Sequence, residues 1–392
     1  MPVKKYLYLD HAAATPIAPE VLRAMQRYWR ENFANPSSLH AAGREAKRTL
    51  EQCRRSCALL LNCLPEEIIF TSGGTESINL ALKGYVAAQK KRQHIISSAV
   101  EHAATLETLR RLKKTGHRIT FIPCDHAGMI DPDAVVAAID PNTTLVSVIL
   151  AHNEIGTIEP VAQIGKRLVN VNRERAKKNL PPIAFHTDAC QAPAWMDINV
   201  EKLHVDMLSL DASKFYGPKG VGLLVRRRSI VLEPQMDGGE QQRGFRSGTE
   251  PLALIVGTTA ALEFAARQRQ RSAKNIAHLR DYLLARVADE IPDVLVTGHL
   301  TQRLANNASF AFAGLEGESL VLRLDRAGIA ASTGAACSTG EPGPSNVIKT
   351  LNVPQRYRNG SLRVTLGYET TKNDLDQTVR TLKRIILQLR RK

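Results

Sequence analysis

No stretch of this sequence could cross a membrane as a helix: no apolar run approaches the ~18–20 residues that a span requires. The opening MPVKKYLYLDHAAATP carries no apolar signal core ahead of its first acidic residue. Together these absences predict a soluble cytoplasmic protein. Cysteines stand at 53, 57, 63, 124, 190 and 337, with no disulfide-framework spacing, no CxxC and no paired histidine. That pattern lacks a metal-site signature, and five of the six read as reduced structural thiols. Neither GxGxxG nor a Walker loop is present, which removes the usual nucleotide fingerprints. Aromatic residues make up only 5% and no recognition-helix motif occurs. The formal net charge of +15 therefore reads as a solvated basic face rather than a nucleic-acid site.

What is there suits packed cores. At 392 residues and 43% hydrophobic, the chain is long enough for two domains, or one large domain with a satellite. Short apolar runs alternate with amphipathic helical stretches as far as residue ~250, which predicts a mainly parallel sheet wrapped by helices. The central run is Val205–Leu210, suited to a strand buried on both faces. The turn Tyr216-Gly217-Pro218-Lys219-Gly220 follows, and between them stands Lys214. An amine at the C-terminal end of a buried strand lies where open α/β sheets bind ligands, and it can form a Schiff base with a carbonyl cofactor. Val221–Arg226 reads as an antiparallel partner to that strand. The junction Ser72-Gly73-Gly74-Thr75-Glu76-Ser77 joins a strand to a helix, with glycines that let backbone N–H groups approach an anion and with Thr75 and Ser77 as hydroxyl donors. Thr75, His102, Asn153, Asp188, Gln191 and Lys214 all follow strand ends, so the fold would gather them on one edge. From about residue 258 a long helix (258–290) and short strands, one of them carrying Arg363, predict an α+β second unit.

With these residues assembled, the sequence resembles the cysteine desulfurases, pyridoxal phosphate enzymes of the aminotransferase-like fold. The motifs YLDHAAATP, NPSS, FTSGGTES, EH, NEIG, TDACQ, SKFYGPKG, RSGT and STGAACS, and the Arg363 strand, run in family order over nearly the whole chain. The resemblance implies a large cofactor-binding domain (16–258) with a seven-stranded, mainly parallel sheet flanked by helices. It also implies a smaller α+β domain (1–15 and 259–392) that carries the reactive cysteine. By resemblance Lys214 would hold pyridoxal 5'-phosphate covalently and shuttle a proton, Asp188 would pair with the ring nitrogen, Gln191 would reach the phenolic oxygen and His102 would stack on the ring. Gly74, Thr75 and Ser213 would take the phosphate, with Thr249 reaching the phosphate of the other subunit of a homodimer. Arg363 and Asn153 would bind the carboxylate of L-cysteine. Cys337, on a small-residue loop of the long-loop kind, would capture sulfur as a persulfide and pass it to an acceptor protein, whether for iron–sulfur clusters, tRNA thiolation or a general relay. No metal is implied. The chain lacks the C-terminal extension by which some long-loop relatives dock an iron–sulfur scaffold, which counts against that partner.

The pattern breaks at one place. Where the family carries Ser and His before the lysine, this chain has Asp211-Ala212-Ser213-Lys214. A carboxylate beside a phosphate is repulsive, so lowered cofactor affinity is expected. Two other readings stay open on the sequence: a lyase of the same fold acting on selenocysteine, and a non-catalytic scaffold.

Overall fold

The computed structural model describes residues 6–334 and 343–391, so Cys337 lies outside the described residues. The first half contains β1 (Leu7–Tyr8), α1 (Pro19–Gln26), α2 (Ala41–Leu61), β2 (Ile68–Thr71), α3 (Gly74–Asn79), α4 (Tyr85–Ala88), β3 (His94–Ser98), α5 (Ala103–Lys114), β4 (Arg118–Ile122), α6 (Pro132–Ala137), β5 (Thr143–Ile149) and α7 (Val161–Lys177). The second half contains β6 (Ala184–Asp188), α8 (Val200–Leu203), β7 (Met207–Asp211), β8 (Gly222–Arg226), α9 (Leu252–Glu290), β9 (Val294–Val296), β10 (Asn307–Phe312), α10 (Gly317–Arg326), β11 (Ile329–Ala330), α11 (Asn346–Thr350), β12 (Ser361–Thr365) and α12 (Lys372–Arg390).

Seven strands form one sheet in the order β2-β8-β7-β6-β5-β3-β4. Neighbours from β4 through β7 pair in parallel, and β8 runs against both β7 and β2, as expected for residues 221–226. The inner strands β3, β5, β6 and β7 are buried on both faces because both faces are covered. Within β3, β5, β6 and β7, successive residues enter opposite cores. Ile96, Val146, Phe185 and Leu208 pack under α2, α7 and α9. Ile95, Leu145, Ala184 and Met207 pack with Leu109 and Leu112 of α5. That is the two-residue period of a pleated strand seen from both sides. A buried relay crosses the sheet, with the His186 ring joined to Ser147 Oγ and Ser209 Oγ, both at 2.9 Å.

The remaining strands form a three-stranded antiparallel sheet, β12-β10-β9, and the parallel pair β1-β11. Helix α9 begins at Leu252, six residues before the expected start and directly after Pro251, which stands at the N-cap position without a side-chain hydrogen bond. α3 and α4 are joined by a π turn over Leu80–Gly84, where Glu233 donates its N–H to the Gly84 carbonyl at 3.0 Å.

Candidate active site

Because β2, β3, β5, β6 and β7 point the same way, the loops after them share one edge. At the end of β7, Asp211 caps a single 3-10 turn, Ala212–Lys214, and turns the chain out of the sheet. Gly217 then passes so close to this turn that a Cβ there would lie 2.8 Å from the Ala212 carbonyl. The Lys214 ammonium donates to the backbone carbonyl of Ala13, which brings the first loop of the chain over the edge.

Asp188 ends β6 and is 4% exposed, with one carboxylate oxygen accepting the Cys190 N–H at 3.0 Å. Gln191 is buried and donates to the Ala12 carbonyl at 3.0 Å. His102 caps α5, its Nδ1 accepting the Ala104 N–H at 3.1 Å. Its neighbour Glu101 is fully buried between the Ser98 hydroxyl (2.6 Å) and the Ile149 N–H (2.8 Å). Burial pushes its carboxyl up to about 8 against those two bonds, which makes it a neutral acid at pH 7.

Arg363, 2% exposed on β12, meets this edge from the smaller sheet. Its guanidinium donates to the Asn153 carbonyl at 3.0 Å and pairs with Asp10 at 2.7 Å. Its Nε and the Asn153 Oδ1 are buried with no hydrogen-bond partner in the molecule. Two such orphans side by side fit a ligand that both accepts and donates, as the carboxylate and ammonium of an amino acid do. Ser332 pairs backbone-to-backbone with Arg363 at 2.7 and 3.1 Å, so the chain leaves for residues 335–342 from beside this arginine. Glu154 lies against the start of that segment: a Cβ on Gly334 would lie 3.2 Å from its carboxylate, whose Oε2 is buried without a hydrogen-bond partner.

The remaining predicted residues fall into two groups. Thr75 and Thr249 are exposed on this chain. Ser77 corrects the sequence reading, being fully buried and joined to Thr71 Oγ1 at 2.7 Å, because it faces into the helix junction rather than out of it. Ser213 also differs from expectation, since its hydroxyl donates to Asp211 at 2.6 Å and its one proton is committed there. Asp10 was not assigned a site role by the sequence, although it lies inside a motif singled out there, whereas Asp211 stands out as the break in the family pattern.

The electrostatics tie these residues into one place. The Cys190 thiol is pushed well up by burial and by Asp188 and Asp211, with Lys214 opposing them. Burial lowers His152 to about 3, with His102 and Arg363 adding to the effect. Among the described residues no cluster of His, Cys, Asp or Glu could hold a metal ion.

Residues 7–378 match the family Aminotransferase class-V. A cysteine desulfurase IscS from Dictyoglomus turgidum is 44% identical over 389 residues, covering 99% of this chain and 96% of that protein. The chain belongs to the class-V aminotransferases. A second IscS cysteine desulfurase, from Methanosarcina thermophila, is 42% identical over 98% of this class-V chain and 93% of its own length. Among solved structures, a NifS-like protein superposes with a TM-score of 0.89 at 32% identity, covering 97% of this chain and 99% of that one. SspA in complex with cysteine superposes with a TM-score of 0.80 at 31% identity, covering 93% and 100%.

Proposed function

We propose that this protein is a pyridoxal-phosphate-dependent cysteine desulfurase that converts L-cysteine to L-alanine and carries the sulfur away as a persulfide on Cys337. One observation carries the reading: Lys214 and Asp188 share a single edge of the large sheet, Arg363 meets that edge from the smaller sheet, and Arg363 Nε and Asn153 Oδ1 are buried there without partners. The full-length IscS relatives and the cysteine complex of SspA support the same substrate.

The residues fit the cofactor at its ring end. Asp188 would hold the ring nitrogen, Gln191 the phenolic oxygen, His102 one face, and Lys214 the aldehyde carbon. When bound, the cofactor supplies an electron sink for carbanion chemistry at the substrate Cα. Arg363, aided by Asn153, fixes the substrate carboxylate and so orients the Cα–H bond toward Lys214. The Lys214 amine takes that proton and later returns it. The Cys337 thiolate attacks the substrate sulfur, forming an S–S bond as the Cβ–S bond breaks. The bond pair stays on the carbon side, which is protonated to give alanine. The smaller sheet, 1–15 and 259–392, is read as the domain that carries Arg363 and Cys337, and 16–258 as the cofactor domain. The protein is taken to act in the cytoplasm as a homodimer, with Thr249 reaching the partner subunit's phosphate site. A protein acceptor then takes the sulfur.

Alanine release from L-cysteine, with pyridoxal phosphate in excess, tests the proposal. Release that disappears in both Lys214→Ala and Cys337→Ala supports it. Release that survives Cys337→Ala, with faster turnover of selenocysteine, would instead favour a lyase. Binding of cofactor with no turnover of either substrate would favour a scaffold.

A further inference from the structure

The phosphate end of the site is occupied by the chain's own anion. Asp211 Oδ1 accepts from both the backbone N–H and the hydroxyl of Ser213, at 3.0 and 2.6 Å. That leaves Oδ2 free to reach across to the Gly73-Gly74 turn, 137 residues away in sequence, where it accepts the Gly74 N–H at 3.1 Å. The turn is tight on all sides. A Cβ on Gly74 would meet Cys190 Sγ at 2.7 Å and Asp211 Cβ at 3.3 Å, and one on Gly73 would meet Asp211 Oδ2 at 3.4 Å. An external anion that docks on the Gly74 amide must therefore come within contact of a carboxylate already bound to it. Ser213 cannot assist while its only hydroxyl proton is held by the same carboxylate.

We propose that Asp211 is a resident anion on the Gly74 amide, so that a phosphorylated cofactor seats only by displacing it and the protein has little preference for pyridoxal 5'-phosphate over unphosphorylated pyridoxal. The assignment rests on the cofactor reading above. It makes Asp211 and Ser213 specificity residues for the phosphate, while Lys214 and Asp188 supply the grip on the ring that both vitamers share. Like charges forced onto one donor repel, and removing one charge restores the affinity of the other.

The test is to titrate cofactor-free protein with pyridoxal 5'-phosphate and with pyridoxal, reading Schiff-base absorbance against Lys214→Ala as the blank. The quantity of interest is the ratio of the two dissociation constants. Asp211→Asn keeps the shape and loses the charge, and should raise the preference for the phosphorylated form by about tenfold or more. Asp211→Ser/Ser213→His, which replaces the carboxylate with two donors, should raise it further. A ratio unchanged in both variants, with binding intact, overturns the assignment and leaves the cofactor reading standing. No Lys214-dependent absorbance with either vitamer in any variant overturns both.

Discussion

Glu101 and His102 are neighbours in sequence with different surroundings. His102 caps α5 with one ring nitrogen fixed at a helix N-terminus, while Glu101 is driven into the sheet and kept protonated. The consequence is a pH dependence with a defined sign. A carboxyl raised from 4.5 to about 8 holds its proton in the folded state but not in the unfolded one, so the stability it contributes is lost as pH rises from 4.5 toward 8. Glu159, also raised to about 8 by burial, acts the same way. His152 and His186, both lowered by burial to about 3, act in reverse: their contribution is present above 6.5 and lost as pH falls toward 3. Glu101→Gln retains the acceptor for Ser98 and Ile149 and cannot ionise. Its thermal midpoint should fall less between pH 5 and 8 than that of the wild type, by an amount on the order of a few kcal/mol in stability. Superimposable midpoint-versus-pH curves would refute the protonated Glu101.

At the scale of elements, the lone reversed strand does more than fill the sheet. Gly222 opens β8 opposite Thr71, and a Cβ there would stand 2.5 Å from the Gly73 carbonyl carbon. The strand therefore supports the turn that presents the Gly74 amide. Gly222→Ala should lower stability by about 1–3 kcal/mol in urea unfolding and should weaken cofactor binding, because backbone rather than a flexible side chain must yield. The same scale explains what the sequence reveals. The core strands of the large sheet were legible because double burial removes the polar alternation, and the residues after them because a parallel sheet gathers C-terminal ends. The brief β9, the short helices α8 and α11 and the π turn carry too few residues for a period to show. Asp211 was legible as an oddity, but its partner Gly74 was not, because pairing across 137 residues is a property of the closed sheet. Ser77 misled for a related reason: one helical step decides whether a hydroxyl faces the pocket or the core.

For the whole molecule, the exposed Thr249 and the subunit arrangement proposed for it make a prediction about mixed dimers. Lys214→Ala protein is expected to be inactive and Thr249→Ala protein to be impaired in holding cofactor. In a hybrid, the subunit that keeps Lys214 would borrow an intact Thr249 from its partner. Mixing the two variants under conditions that exchange subunits should therefore give activity above the average of the separate samples. An additive result would show that each chain builds its site alone.

The ion pair between Asp10 and Arg363 joins residues 353 positions apart. During synthesis, Asp10 leaves the ribosome long before its partner has been made. At ~5–20 residues per second, the wait is about 20 to 70 seconds. Over that interval the strands of the large sheet, complete by Arg226, can pair, while α9, which covers one face of that sheet, and the arginine proposed to bind substrate do not yet exist. The order of translation therefore places the Asp10–Arg363 contact, and with it the substrate binding proposed for Arg363, among the last parts of the molecule to form.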